Sequence, residues 1–104
     1  MLIITTDTIP GKQILETKGI VQGSTVRTKH IGRDIAAGIK NIVGGELTGY
    51  TELLNESRRE AMERMVEQAR HLGANAIVCV RFSTSAITQQ ASEVLCYGTA
   101  VVVQ

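Results

Sequence analysis

The feature that most constrains this fold is a long stretch of helical periodicity in the second half of the chain. Its apolar residues recur at helical intervals and form one face: Leu54, Ala61, Met65, Ala69 and Leu72. The opposite side carries a mixed run of glutamates and arginines, which is most simply a solvated helix face. Gly73 follows as a typical C-terminal stop. The pattern predicts an amphipathic helix over roughly residues 50–72, whose apolar face must pack against another element.

A shorter helical pattern precedes it. Four isoleucines, Ile31, Ile35, Ile39 and Ile42, follow one another at spacings of four, four and three. This spacing predicts a first helix. Gly38 lies inside it and weakens it by about 1 kcal/mol relative to alanine.

The remaining segments favour strands. Leu2–Thr6 is short, apolar and β-branched, and residues 12–29 contain further β-favouring stretches with Gly19 and Gly23 as bends or bulges. Two more strands are predicted at Ala76–Phe82 and Val94–Val103, with polar residues 83–92 as a hairpin loop. We therefore expect a single α+β domain over residues 1–104. It would have a small sheet of about four to five strands, with two consecutive helices packed on one face.

The last two strands are nearly continuous apolar runs, "ANAIVCV" and "GTAVVVQ". Runs of this kind suit strands that are covered on both faces. Two helices in so small a domain cover one face readily and both faces only with difficulty. We therefore expect a partner subunit over the second face. The alternative is that Val102 and Val103 form a frayed, exposed end.

Composition excludes several classes of protein. The chain has 104 residues, a net charge of +1 and no basic run, which argues against a dedicated nucleic-acid binder. Only two tyrosines and one phenylalanine are present, too few for a base-stacking platform. No apolar run approaches the roughly 20 residues of a membrane span. The N-terminus lacks the features of a signal peptide, so we expect a cytoplasmic protein with reduced cysteines.

The segment from Gly44 to Thr51 nearly matches the phosphate-binding pattern G-x-x-x-x-G-K-[ST]. Tyr50 occupies the position of the lysine, and Glu46 within the segment would repel phosphate. A helical pattern, rather than a strand, leads into it. We therefore interpret the glycines as a break between two helices.

Cys79 and Cys96 are the candidate ligands for a soft metal such as zinc or copper(I). They do not form a recognised ligand motif, and each lies within an apolar strand, where free cysteine behaves as a small buried hydrophobe. The structural interpretation is therefore preferred. A one-residue shift in strand register decides whether the two thiols share a face.

His30 and His71 are further possible ligands or bases, but neither has a nucleophile or an acid nearby in a known pattern, and a surface position is preferred for both. Ser83, Ser85 and Ser92 lack the G-x-S-x-G setting of a hydrolase nucleophile. We assign no catalytic residue and no cofactor, and we expect a binding protein rather than an enzyme.

Three segments, "DIAAGIKNIVGGELTGYTELLNESRREAMERM", "LGANAIV" and "GTAVVV", resemble the YbjQ-like family of small bacterial proteins, which is described as heavy-metal-binding and of unknown function. The similarity covers essentially the whole chain. Its most specific pieces are Arg33-Asp34, Gly44-Gly45, Leu72-Gly73-Ala74 and Gly98-Thr99-Ala100-Val101.

The resemblance implies an α+β subunit assembled into a homopentameric ring. Family members usually carry acidic residues just after the "AxAIV" strand, whereas Arg81, Ser83 and Ser85 stand there in this chain. Cys79 and Cys96 are not part of the family pattern, so the resemblance carries no metal role over to them.

Three hypotheses follow. The first is a cytoplasmic, homo-oligomeric, non-enzymatic scaffold or binding protein whose partner is a further copy of itself, with no nucleic acid and no membrane. The second is a soft-metal-binding protein that uses Cys79 and Cys96, with histidines from a neighbouring subunit. The third is a ring that binds small ligands at subunit junctions near Gly44-Gly45 or Gly98.

Overall fold

The chain folds as an α+β domain with a four-stranded mixed sheet and a helix packed on it. The structure is a computed structural model, and it describes residues 1–28, 48–88 and 91–104. The elements in chain order are β1 (Leu2–Ile3), β2 (Ile14–Thr28), α1 (Thr48–His71), β3 (Ala76–Thr88) and β4 (Ala91–Val103). The strand order across the sheet is β1-β3-β4-β2, with β1 parallel to β3 and the other pairs antiparallel.

Helix α1 confirms the strongest prediction from the sequence. It spans Thr48–His71, against the predicted 50–72. It ends as expected for a glycine stop: Gly73 has a φ of 80°, and its N–H donates to the carbonyl oxygen of Arg70 at 2.9 Å. The N–H of Ala74 donates to the carbonyl oxygen of Ala69 at 3.1 Å, which completes a Schellman motif.

The prediction of two consecutive helices is only partly met. The described residues contain one helix, α1. The isoleucine pattern at residues 31–42 lies outside the described residues, as do Arg33, Asp34, Gly44 and Gly45. No helix in the part of the chain that the structure describes is long and apolar enough to cross a bilayer.

One hydrophobic cluster lies between α1 and the sheet, and we call it the helix-side cluster. Its buried members are Val21, Ala61, Met65, Ala69, Ala74, Ile77, Val80, Val94, Cys96 and Ala100. Gly23 on β2 makes the close approach possible, because a Cβ built there would lie 2.2 Å from the carbonyl oxygen of Ala61. Gly23 is therefore a contact point for the helix, while the predicted bulge is confirmed at Gly19, where the register shifts and φ is 112°.

A second cluster uses the other side of the same strands, and we call it the N-terminal cluster. Ala76, Val78, Val101 and Val103 are its buried members, and Ile4, Ile9 and Cys79 pack against it. The N-terminal segment therefore covers the apolar runs that we expected a partner subunit to cover. At this end of the sheet the second face is closed by the chain itself, and Val103 is buried rather than frayed.

The loop predicted at residues 83–92 is wrong. β3 continues to Thr88 and β4 begins at Ala91, so that Ser83 pairs with Leu95, Thr84 with Val94 and Ser85 with Glu93. The polar composition suggested a loop. An exposed strand needs no apolar alternation, however, when its backbone hydrogen bonds to a neighbouring strand are made.

Candidate functional site

Cys96 is a core residue of the helix-side cluster. Its neighbours across the sheet are Gly23 on β2 and Phe82 on β3. The residue is fully buried, and its Sγ lies 3.6 Å from the Sδ of Met65 on α1. Burial raises the pKa of the Cys96 thiol, because the thiolate would lose its hydration. The thiol therefore stays protonated near neutral pH, which disfavours both metal ligation and nucleophilic attack.

Cys79 lies in a different environment. It sits at an irregularity in β3, where the register shifts between Val78 and Arg81, and its φ is 55°. Its N–H donates to the carbonyl oxygen of Thr6 at 3.0 Å, and its side chain packs against the N-terminal cluster. The irregularity thus places the two cysteines in different clusters, and the chain does not bring them together as a ligand pair.

The other candidate ligands are also dispersed. His71 is exposed at the end of α1, and its Nε2 lies 3.2 Å from Oε1 of Glu67 one turn earlier. His30 lies outside the described residues. Among the described residues, no three or more histidine, cysteine, aspartate or glutamate side chains are grouped closely enough to hold a metal ion.

Arg81 stands at a position that is usually acidic in the family. Its side chain hydrogen-bonds to the N-terminal segment. Its Nη1 donates to the carbonyl oxygens of Thr5 and Val80, both at 2.8 Å. Ser83 and Ser85 lie further along β3 in its exposed part. The Arg81 side chain thus links the N-terminal segment to β3 of the sheet.

The glycine-containing motifs have structural roles where they are described. Gly49 and Tyr50 belong to the first turn of α1, which agrees with the interpretation of a helix boundary. A Cβ at Gly98 would meet Cγ2 of Ile77 at 2.8 Å and the carbonyl oxygen of Val78 at 3.0 Å. The space beside Gly98 is therefore filled by β3, and Thr99 pairs with Val78 and Ile20 in the sheet.

A polar contact that the sequence analysis missed joins β2 to α1. Thr25 Oγ1 donates to the carbonyl oxygen of Ser57 at 3.0 Å, and Arg27 Nε donates to the Ser57 hydroxyl at 3.1 Å. Arg27 also pairs with Glu60 at 3.0 Å. The partners are more than 25 positions apart in the chain, so no local motif could have indicated them.

Helix α1 also occupies the outer edge of β2. The backbone N–H of Gln22 donates to Oε1 of Gln68 at 2.7 Å, and the guanidinium of Arg64 donates to the carbonyl oxygen of Ser24. These two side chains thus hydrogen-bond to backbone groups that another strand would need for pairing. An edge treated in this way is protected against addition of a further strand.

The sheet face opposite α1 carries a line of apolar side chains beyond the N-terminal cluster. It consists of Ile20 and Val26 on β2 with Leu95 and Tyr97 on β4, and we call it the outer strip. Register places these residues on one face, since Ile20 pairs with Thr99, Tyr97 with Gln22, Leu95 with Ser24 and Val26 with Glu93. Ile20 is 79% exposed, and Val26 and Tyr97 are exposed as well.

Comparison with known proteins identifies relatives along the whole chain. The YbjQ family model, whose description is "Putative heavy-metal-binding", matches residues 1–104. A UPF0145 protein of Hahella chejuensis is 62% identical over 100% of both chains. Another, from Acinetobacter baylyi, is 66% identical over 92% of this chain and 89% of its own.

A solved structure shares the fold. It is a protein of unknown function of the DUF74 family from Pediococcus pentosaceus, with a TM-score of 0.67 and 17% sequence identity. The match covers 100% of this chain and 98% of that one. At this level of identity the likeness supports the architecture only.

Proposed function

The chain belongs to the YbjQ family, and from this membership and its exposed surfaces we propose that it is a non-enzymatic, homo-oligomeric scaffold or binding protein of the cytoplasm. The observation that carries the proposal is the outer strip. Ile20 is 79% exposed on a sheet face whose other end is closed by the N-terminal segment. Contiguous apolar side chains on a sheet face mark a surface that another protein covers.

The overall shape supports the same proposal. The radius of gyration is 16.7 Å and the extents are 52 × 28 × 16 Å. A compact domain of about 100 residues has a radius of gyration of about 13 Å. In this proposal, further copies of the chain cover the exposed strands of the elongated subunit. The family resemblance implies a ring of five, which we adopt as the proposed assembly.

Ring formation requires head-to-tail contacts, in which one patch on a subunit meets a different patch on the next. In this proposal the outer strip supplies one of the two patches. The charged outer face of α1 stays in solvent, where exposed ion pairs such as Arg59–Glu63 at 2.9 Å contribute little to stability.

Multi-angle light scattering over a dilution series tests the proposal. We expect the wild type to have a mass several times the 11.2 kDa of one chain. Ile20→Lys should lower that mass, because it places a charge in the contact. Leu72→Lys is the matched control, since Leu72 is also exposed but lies beyond α1, away from the strip. A wild type that stays near 11.2 kDa would overturn the proposal.

The family description favours a second candidate, soft-metal binding. Cys79 and Cys96 are the only thiols in the chain. Because they lie in different clusters, a site using Cys79 would need ligands from a neighbouring subunit. Protein purified without added metal and then exposed to zinc or copper(I) should retain about one ion per chain, and the Cys79→Ser, Cys96→Ser double variant should retain none. Equal metal content in both proteins would contradict this candidate.

A further inference from the structure

We propose that the outer edge of β3 between Phe82 and Ala86 docks the same segment of a second copy of this chain, as an antiparallel strand pair centred on Thr84. The inference rests on the proposed self-association but concerns a different surface from the outer strip. It depends on three features of the described residues: the direction of the backbone groups, the absence of protection at this edge, and the symmetry of the segment.

The direction of the backbone groups follows from the other side of the sheet. The N–H of Gln22 points away from β4, because it donates to Gln68. In an antiparallel pair, residues opposite each other either both point inward or both point outward. Tyr97, opposite Gln22, therefore directs its groups to β3 and its partner Arg81. By alternation, Phe82, Thr84 and Ala86 direct their N–H and C=O groups to the outer edge.

Nothing in the described part of the chain pairs with these groups. β1 and the residues after it follow β3 as far as Val80, whose N–H donates to the carbonyl oxygen of Ile4 at 3.0 Å. Proteins protect exposed strand edges with charged residues, proline, bulges or covering side chains. β2 has such cover from Arg64 and Gln68. The segment "FSTSA" of β3 has neither a charge nor a proline, and its residues are exposed. Its register with β4 is regular, since the two irregularities of β3 lie before and after it, at Val78–Arg81 and Ala86–Thr88.

The segment is complementary to itself. Ser83-Thr84-Ser85 has the same order in both directions, with Phe82 and Ala86 on either side. A two-fold axis at Thr84 would place it opposite the partner's Thr84, Ser83 opposite the partner's Ser85, and Phe82 opposite the partner's Ala86. The outward groups of three residues would then form about six backbone hydrogen bonds. The pairing sets only uncharged side chains opposite one another, so a second copy of this segment meets no like-charge repulsion at this edge.

A two-fold contact of this kind is distinct from the contacts of a ring. It gives a dimer where no ring exists, and it joins a subunit of one ring to a subunit of another where rings exist. The two proposals therefore predict different masses. Loss of the β3 contact halves the mass of a paired assembly, while loss of the strip contact separates the ring.

Register-specific disulfide formation tests the pairing. In a Cys79→Ser background, with the fully buried Cys96 retained, we would compare Ser83→Cys, Ser85→Cys and the two co-expressed. Ser83 and the partner's Ser85 would form a non-hydrogen-bonded pair, because both direct their backbone groups to their own β4. The Cα atoms of such a pair lie about 4.5 Å apart, within reach of a disulfide, whereas diagonal neighbours lie about 7–8 Å apart and are out of reach. Mild oxidation should give at least about tenfold more linked dimer in the co-expressed sample than in either single variant.

Thr84→Pro provides a second test, because it removes an outward N–H and leaves the pairing with β4 intact. Thr84→Val is the matched control, since it changes the same side chain but keeps the backbone N–H. With folding confirmed by circular dichroism, Thr84→Pro should halve the mass and Thr84→Val should not. Absence of the heterodisulfide, or a mass unchanged by Thr84→Pro, would overturn the pairing. If the wild type still self-associates in that case, the proposed function stands. A monomeric wild type would overturn both.

Discussion

The two halves of β3 differ although they belong to one strand and pair with the same neighbour. Ala76–Val80 is largely buried, with β1 at its edge, α1 on one face and the N-terminal segment on the other. Arg81–Thr88 is exposed throughout, although its pairing with β4 continues. Backbone pairing is therefore not what buries a strand in this protein. A strand is buried here only where both of its faces and its second edge are covered. We therefore expect a partner at the second half of β3.

The largest effect is expected from a substitution that disrupts the packing of α1 on the sheet. Gly23→Ala would place a Cβ 2.2 Å from the carbonyl oxygen of Ala61 and 2.4 Å from the backbone nitrogen of Met65. Backbone atoms cannot move aside as the end of a side chain can, so α1 must shift off the sheet. We expect the free energy of unfolding to fall by at least about 3 kcal/mol in urea denaturation. Ser24→Ala is the neighbouring control, and a similar loss in both would contradict the packing.

Two isoleucine-to-alanine substitutions, one in each half of β3, compare how much each half contributes to stability. Ile77 is fully buried, whereas Ile87 is 53% exposed. Ile77→Ala should reduce the free energy of unfolding by about 3–4 kcal/mol, and Ile87→Ala by less than about 1 kcal/mol. Chemical denaturation of the two variants at the same protein concentration measures the difference. Equal losses would mean that the second half is as well covered as the first.

A smaller effect concerns pH. Folding raises the pKa of the Cys96 thiol above its ordinary value of 9.0 because the site is buried. The folded state then holds this proton at a pH where the unfolded state has released it. The free energy of unfolding should therefore fall as pH rises above about 9. Subtracting the same curve for Cys96→Ala isolates this contribution. Curves that run parallel through this range would show that burial does not hold the proton.

The smallest effect is expected at the protected edge of β2. Gln68→Ala removes the acceptor for the Gln22 N–H. Its cost to folding should be under about 1 kcal/mol, because water can replace the lost partner at this exposed position. The same change should increase concentration-dependent association, since it reopens part of the edge. Sedimentation velocity of Gln68→Ala beside Gln13→Ala, a change at the exposed residue that precedes β2, measures this. Unchanged association would mean that Gln68 does not protect the edge.

The sequence predicted what depends on local pattern. The apolar periodicity and Gly73 located α1 to within two residues at its start and one at its end. The extent of the β3–β4 hairpin was mispredicted, because small polar residues such as Ser83 and Thr84 occur in loops and in exposed strands alike. The candidate metal ligands depended on register, and the irregularity at Cys79 has no signal in the sequence. The contact of Arg27 with Ser57 depends on the fold that brings distant segments together.

The most direct test of the central claim is amide hydrogen exchange at Thr84 under conditions where the protein self-associates. Its N–H points to the outer edge of β3, where no described residue accepts it. If a second copy covers this edge, the Thr84 amide should exchange slowly, within about tenfold of the buried Ile77 amide, and dilution should accelerate it. Fast exchange at Thr84 in the associated protein, at the rate of an exposed amide, would contradict the claim.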